Sequence, residues 1–444
     1  MWCRFLVSWS ALAVLIGVLV APAVAHSPGG EIGTGKRTCV PGPKANCRDV
    51  VHKWTFEHHG NLKGAVFTRA KLHGADLRGA KAHGADLRGV ILRHADLRGA
   101  SFKNADFSPA GIRIRPLRSN PACLPNCQGA DLSGADLSGA DLTGADLTGV
   151  DLSGANLTLA KLRGANLTRA DLSGAYVGAG PMTVGEDQAF VDLTGVSLIE
   201  ANLTGATLDA VDLAKANLTR ANLTRARLVV GLEDANLHQA NLNEADIDYA
   251  YVVNTNLTNA DLTDADFSSF ELDSANMEGA NLTRVNLTGA NLTRVNLTSA
   301  NLTGANLRLV DLSGFDLTGM NLTGANLERA DLPNTNLSGL NLHGMNFSGA
   351  DLTGAKLMKT DLSDANMKGA DLPNANLSGA NLDGADLSRA NLSGANLTDA
   401  DLRGAKLHGV DLTGADLTGA RWKNALLRDT RCPGGGLSDT ECLP

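Results

Sequence analysis

The sequence is poor in large core-forming side chains, and this shortage limits the folds that it can adopt. Phe, Trp and Tyr together make up 4% of the 444 residues, whereas Gly alone occurs 49 times. A chain of this length made of ordinary globular domains would need about two or three packed cores. The composition instead indicates that one repeated unit supplies the core.

Long apolar runs are also scarce, and the one that stands out lies at the beginning. It extends over residues 11–20, follows Arg4, and precedes a small-x-small tripeptide at 23–25, the pattern of a signal-peptidase site. We therefore predict a signal peptide over 1–25, cleaved after Ala25, and a secreted or extracytoplasmic mature protein. An uncleaved anchor is the alternative, and no later segment has the length and hydropathy of a membrane span.

The sequence is rich in one five-residue word. From Leu62 onward the chain repeats Ala-(Asp/Asn)-Leu-(Ser/Thr/Arg)-Gly, as at 75–79 and 135–139, with a final Arg at 290–294. A period of five fits neither the helical period near 3.6 nor the strand period of 2. Repetition at a fixed period indicates a solenoid.

A five-residue step buries the same positions each time if every unit forms one side of a square coil. Four units then close a turn of about 20 residues, with the central Leu or Phe and the small residue two places before it pointing inward. The other three positions face solvent or form corners, where Gly and Asn tolerate turn geometry. The sequence therefore predicts an all-β fold, a right-handed quadrilateral parallel β-helix of about 18 coils over residues 61–431.

These five-residue words resemble those of the pentapeptide-repeat family, and they cover most of the chain. The resemblance implies the β-helix fold. It says little about function, because one fold hosts many roles. The many Asn-Leu-Thr and Asn-Leu-Ser words match the N-glycosylation acceptor, and sugars on them would obstruct coil packing, which favours a bacterial secretory route.

Two segments interrupt the repeat, at about 108–129 and 176–192. The first is predicted to be a disulfide-pinned loop or a distorted coil, and the second a projecting loop. Arg113, Arg115 and Arg118 make the first a candidate recognition loop for carboxylates or phosphates. The alternative is that both are tolerated surface insertions without a ligand. At 229–231 the repeat lacks one residue, which predicts a bulge or a tightened corner.

The segments at 26–60 and 432–444 lack the repeat and are predicted to cap the two ends of the solenoid. Six cysteines lie outside the predicted signal peptide, and many pairings are open to them. Pairing within the three close pairs is favoured because a rigid rod keeps its two ends and its interruption apart. Free thiols are the alternative, and a metal site lacks suitably spaced partners. The three pairs are Cys39 with Cys47, Cys123 with Cys127, and Cys432 with Cys442.

No group of residues in the sequence suggests catalysis. The Asp side chains occupy the outward position of the repeat, where solvation gives them no cause for the shifted pKa that acid or base catalysis needs. Leu and Ala fill the interior and leave no room for a cofactor. We therefore predict a protein that is not an enzyme and that holds no cofactor or metal.

Charge is distributed unevenly along the chain. Residues 61–128 contain 12 Lys or Arg and 4 Asp, whereas 129–444 contain 21 basic and 40 acidic residues. A secreted structural or protein-interaction scaffold fits these features, with an unknown protein or envelope polymer as its partner and no nucleic acid. A second copy, joined end to end or as a homodimer, is a further candidate partner.

The alternative function rests on the acidic part of the chain. Asp131, Asp151 and Asp171 are each separated by four repeat units and would form a line of carboxylates. Some members of the family that this chain resembles mimic duplex DNA, bind type II topoisomerases and confer fluoroquinolone resistance. The signal peptide and the basic first coils depart from that pattern.

Overall fold

The computed structural model describes residues 32–34, 37–52, 60–72, 75–88, 90, 93–98, 100–107, 124–179, 191–439 and 442. They form a β-solenoid in which each coil pairs in parallel with the next. Asp131 pairs with Asp151, and Asp151 with Asp171, which is the register of four repeat units that the sequence predicts. The handedness and the number of coils stay predictions. The predicted signal peptide lies outside the described residues.

Most of the pairing consists of single β-bridges, and longer strands occur mainly at the ends and beside the interruptions. The strands are β1 Ile32–Thr34, β2 Arg37–Cys39, β3 Val51–His52, β4 Lys71–Leu72, β5 Arg93–Asp96, β6 Leu124–Asn126, β7 Tyr176–Gly178, β8 Val191–Asp192, β9 Thr207–Asp212, β10 Arg227–Gly231, β11 Asp246–Tyr251, β12 Lys406–His408, β13 Leu426–Arg428, β14 Thr430–Arg431 and β15 Leu437–Ser438. The described residues contain no helix, and hence none that could span a bilayer. Antiparallel pairs, β1 with β2 and β14 with β15, lie at the two ends.

The unit at 135–139 shows why a five-residue word suffices for one side of a coil. Ala135 and Leu137 are fully buried, and the amide of Leu137 donates to the carbonyl of Asn156 in the next coil. Asp136 Oδ1 accepts the backbone amide of Ser138 at 3.0 Å, which holds the turn that follows. Gly139 has a φ of 66°, a left-handed conformation that Gly adopts without steric cost.

The first interruption lengthens one coil by two repeat units. Ser101 pairs with Asp131, and Asp106 with Asp136, so the partner lies six units along the chain and not four. The predicted end of this loop at residue 129 was wrong, because β6 pairs with β5 and Cys127 is fully buried. The coil therefore resumes by residue 124, and the five-residue frame survives because the insertion is a whole number of units.

The second interruption lengthens a coil by slightly more than two units and so shifts the frame. Asn166 pairs with Ser197, and both β7 and β8 pair with β9. The predicted bounds of 176–192 were too wide, since both limits lie in paired strands. The bulge predicted at 229–231 is confirmed: the register between β9 and β10 shifts between Val229 and Val230.

Disulfide bonds pin both ends of the described solenoid. Cys39 bonds to Cys47 and Cys432 to Cys442, which are two of the three pairings that the sequence predicts. Cys123 lies outside the described residues, so the third pairing stays a prediction. Because each bond joins residues close in sequence, it fastens a terminal segment onto the adjacent coil.

One boundary between coils is looser than its neighbours. Among the described residues, Leu292 and Leu297 donate no backbone hydrogen bond to the next coil, and no bridge joins Asn291 to Asp311. Phe315 lies at the corner between these two sides and is only partly buried, where most coils have a fully buried Ala. We attribute the missing bonds to the Phe315 ring, which is larger than the Ala that most coils carry at this corner.

We expect the amides of Leu292 and Leu297 to exchange with solvent at least about tenfold faster than those of Leu272 and Met277. The latter two occupy the same sides one coil earlier and donate to Asn291 and Asn296 at 3.0 and 2.8 Å. Native-state hydrogen exchange at residue resolution measures this difference. Equal protection of the two pairs would contradict the loosened boundary.

Candidate interaction surfaces

The described residues present polar side chains on the outward-facing sides of the coils. No group of three or more His, Cys, Asp or Glu among them is placed to hold a metal ion. Many carboxylates accept hydrogen bonds from the residue two places later in the same five-residue unit. At Asp361 the Ser363 hydroxyl donates such a bond at 2.7 Å and lowers the pKa of the carboxyl group. The described part of the solenoid therefore presents charged and hydrogen-bonding side chains at fixed positions on its outer sides.

One side of the first described coils is basic, and we call it the basic side. It comprises Lys63, Lys81, His83 and Lys103, with Lys44 at its corner, and all five are exposed. Backbone hydrogen bonds align them, because Gly64 donates to the His83 carbonyl at 3.0 Å and Gly84 to that of Lys103 at 2.8 Å. His83 Nε2 lies 2.7 Å from the Ser101 hydroxyl.

The lysines of the basic side differ from the arginines elsewhere in how they are paired. None of the four forms an ion pair with a described residue. On the adjoining sides, Arg69 binds Asp49 at 2.7 Å and Arg88 binds Asp86 at 2.6 Å. The same holds farther along, where Arg225 binds Glu244. The basic side therefore carries a local excess of positive charge.

Asp86, on a side that adjoins the basic side, is held by two neighbouring side chains. The Arg88 guanidinium donates to it at 2.6 and 2.9 Å, and the Thr68 hydroxyl donates at 3.0 Å. These bonds, with that of Arg88 first, lower the pKa of Asp86 to about 2. The expectation that the outward Asp side chains have no cause for a shifted pKa was therefore wrong here, because the sequence pattern does not reveal bonds to neighbouring side chains. A carboxylate whose pKa is lower in the folded than in the unfolded protein stabilises the fold at pH values above its unfolded pKa. This stabilisation is lost as the pH falls through the folded pKa.

We expect Asp86→Asn to lower the free energy of unfolding by about 1–2 kcal/mol at neutral pH, because the neutral amide loses the charged bond to Arg88. The difference from the unmodified protein should shrink between about pH 4 and pH 2, as Asp86 becomes protonated. Urea unfolding at several pH values measures it. Asp141→Asn is the control, since Thr143 replaces the arginine in that unit. A difference that stays constant down to pH 2 would contradict the assignment.

Past the first interruption, the line of the basic side becomes acidic. Ser101 is followed on the same ladder by Asp131, Asp151 and Asp171, as the sequence predicts. A second acidic ladder includes Asp311, Asp331 and Asp351. Desolvation, together with its two acidic neighbours, raises the pKa of Asp331.

We expect Asp331→Asn to stabilise the protein at neutral pH by about 0.5 kcal/mol, because it removes repulsion from the carboxylates on both neighbouring coils. A raised folded pKa means that the ionised group opposes folding, so the gain should vanish as the pH falls below the folded pKa. Asp361→Asn is the matched control and should destabilise the protein, since Ser363 and Asn381 donate to that carboxylate. Thermal unfolding compares the two, and a loss of stability for Asp331→Asn would contradict the explanation.

The five-residue units also match a known family. A model of pentapeptide repeats matches residues 58–81, 83–108, 126–176, 190–228 and 235–438. The chain belongs to the pentapeptide-repeat family. The gaps at 109–125 and 177–189 fall in the two lengthened coils, and the gap at 229–234 contains the register shift at Val229 and Val230.

Several solved structures of pentapeptide-repeat proteins are similar to this chain. QnrB1, a plasmid-mediated fluoroquinolone resistance protein, is 22% identical over 40% of this chain and 88% of its own, with a TM-score of 0.28. HetL of the cyanobacterium Nostoc, involved in heterocyst differentiation regulation, is 26% identical over 67% and 91%, with a TM-score of 0.14. A protein of the Arabidopsis thaliana thylakoid lumen is 28% identical over 26% and 72%, with a TM-score of 0.15. No curated protein sequence matches the chain.

Sequence reasoning located only part of these surfaces. The predicted recognition-loop residues Arg113, Arg115 and Arg118 lie outside the described residues, so that prediction stays open. The alignment of Lys63, His83 and Lys103 follows from the period of four repeat units. Whether each basic side chain has an acidic partner depends on side-chain geometry, which the period alone does not supply.

Proposed function

We propose that this pentapeptide-repeat protein is a secreted, non-enzymatic scaffold that presents its polar sides to partners at or outside the cell envelope. The observation that carries the proposal is the continuous filled core. Leu and Ala are fully buried in coil after coil, as at Leu137, Leu257 and Leu377, so rigid outer sides are what the fold offers to a partner.

The proposed location rests on the cysteines and on the predicted signal peptide. Disulfides at Cys39–Cys47 and Cys432–Cys442 persist in oxidising compartments, whereas cytosolic thiols are normally kept reduced. Each of these bonds lies at one end of the described solenoid.

The alternative is a mimic of duplex DNA that binds a type II topoisomerase. The ladder of Asp131, Asp151 and Asp171 favours it, since the carboxylates follow one another in register. The basic side opposes it, because lysines on the same line would repel the enzyme's DNA-binding surface.

A supercoiling assay separates these two functions. We expect no inhibition of DNA gyrase by the purified oxidised protein, at concentrations where a topoisomerase-binding pentapeptide-repeat protein, run in parallel, inhibits fully. Inhibition that is lost in Asp131→Lys/Asp151→Lys would overturn the scaffold proposal in favour of mimicry.

End-to-end association is the form of self-assembly that the C-terminal end supports. Leu417 and Trp422 are only partly buried there, and Leu426 and Leu437 are half exposed or more. A second copy placed against this end would cover the apolar atoms. Sedimentation should show a dimer that Leu437→Glu dissociates, and a monomer at all concentrations would contradict it.

A further inference from the structure

We infer that the basic side binds a linear acidic polysaccharide. This inference rests on the proposed function for its location outside the cytoplasm, and it adds the class of partner. The surface is the one defined above, Lys63, Lys81, His83 and Lys103, with Lys44 at its corner.

The lysines are available for an external anion. Lys63, Lys81 and Lys103 are exposed and form no ion pair within 4.0 Å with a carboxylate of the described residues, although Asp131 attracts Lys103 from a greater distance. Nearby arginines such as Arg69 and Arg88 are occupied by Asp49 and Asp86. Exposed cations gathered on one side without ion-paired carboxylates attract polyanions, and the attraction weakens as salt is added.

The arrangement favours a partner that extends along the solenoid axis. Lys63, His83 and Lys103 belong to three consecutive coils in register, which places them about 4.8 Å apart along the axis. A chain laid in that direction meets a basic residue at each coil. On the adjacent ladder, Lys81 and Ser101 are followed by Asp131 and Asp151, and these carboxylates repel the same polymer, so the basic surface ends there.

The side chains between the lysines suit a sugar polymer better than a nucleic acid or a membrane. Among the described residues of these coils the aromatic side chains are those of Phe67, Phe102 and Phe107, and all three are buried, so unstacked bases find no ring to stack on there. Asn61 and Asn104 are exposed and carry amides that can bond to hydroxyl groups. The basic side holds no exposed large apolar side chain that could enter a bilayer.

Binding of polygalacturonate by the full oxidised protein tests the inference. Affinity electrophoresis or titration calorimetry at low ionic strength should detect binding that falls steeply with added salt. The triple variant Lys63→Glu/Lys81→Glu/Lys103→Glu should bind at least about tenfold more weakly. The matched control is Lys356→Glu/Lys359→Glu/Lys368→Glu, three exposed lysines in the acidic part, and its affinity should change less than about twofold.

Further probes identify the polymer class. Neutral dextran should not bind, and single-stranded DNA and phosphatidylglycerol vesicles should bind more weakly than polygalacturonate. Equal affinity of the two triple variants would overturn the basic side as the site. Tighter binding of DNA or vesicles would overturn the choice of polysaccharide. Because these assays use purified protein, a cytoplasmic location found by fractionation would refute the proposed function without altering the binding result.

Discussion

Replacing Phe347 with Ala is expected to lower the stability of the coils around it by about 3–5 kcal/mol. Its ring is fully buried at the position that Leu occupies in most units. Leu327 and Met367 take the same position in the coils before and after, and both are also fully buried. Truncation would therefore leave a cavity that two flanking coils line.

Chemical denaturation of the variant, followed by hydrogen exchange of residues 327–367, measures the loss. Unfolding of a solenoid need not be two-state, so local exchange shows where stability is lost. Ser348→Ala, at the next position along the chain and pointing outward, is the control and should change stability by less than about 0.5 kcal/mol. Similar effects of the two variants would contradict the inward orientation of Phe347.

Removing the C-terminal disulfide by Cys432→Ser/Cys442→Ser is expected to cost about 2–3 kcal/mol. The bond ties Cys442, which is buried, to Cys432, which packs against the last part of the core. Without it the terminal segment gains conformational freedom and uncovers the final coil. The effect should be confined to that end, because each coil contacts only its neighbours.

Hydrogen exchange separates an end effect from a general one. We expect amides of β12 and β13 to lose protection, while those at 131–156 keep theirs. The N-terminal disulfide, intact in this variant, serves as an internal reference. Unchanged protection of β12 and β13 would contradict a capping role for the 432–442 bond.

The core and the coil register could be predicted because every unit obeys the same physical constraint. Leu or Phe at the centre and a small residue two places before it are the two positions that fill a narrow square interior, as at Leu137 and Ala135. The outward Asp or Asn has a further role, since its side-chain oxygen holds the following amide, as Asp136 holds that of Ser138. This local bond explains why these two residue types dominate the position.

Departures from the repeat were harder to predict, because their outcome depends on neighbouring coils. Counting residues from Asp106 to Asp131 shows that the repeat resumes at a multiple of five residues. The count does not show that Ser101 would pair with Asp131. Phe315 reads as a conservative replacement of Ala by another apolar residue. Its effect appears only when the narrow corner beside Val295 is considered. Buried Thr335 likewise bonds to the Leu312 carbonyl at 2.7 Å, a contact with no signature in the five-residue word.

The same limit applies to the candidate binding surface. Composition shows that the early coils are basic, and the period aligns Lys63 with Lys103. Only side-chain geometry distinguishes these lysines from arginines such as Arg88, whose charge is already matched by Asp86. Charged residues that already form ion pairs within the protein say little about a partner, whereas exposed charges without an ion pair indicate the charge that a partner would carry.

The measurement that tests the account most directly is mass spectrometry of the native protein from fractionated host cells. A mature chain that begins at His26, found in the secreted or envelope fraction and gaining mass on reduction, is the result that we predict. An intact N-terminus and reduced cysteines in the cytoplasmic fraction would contradict the account of a secreted scaffold.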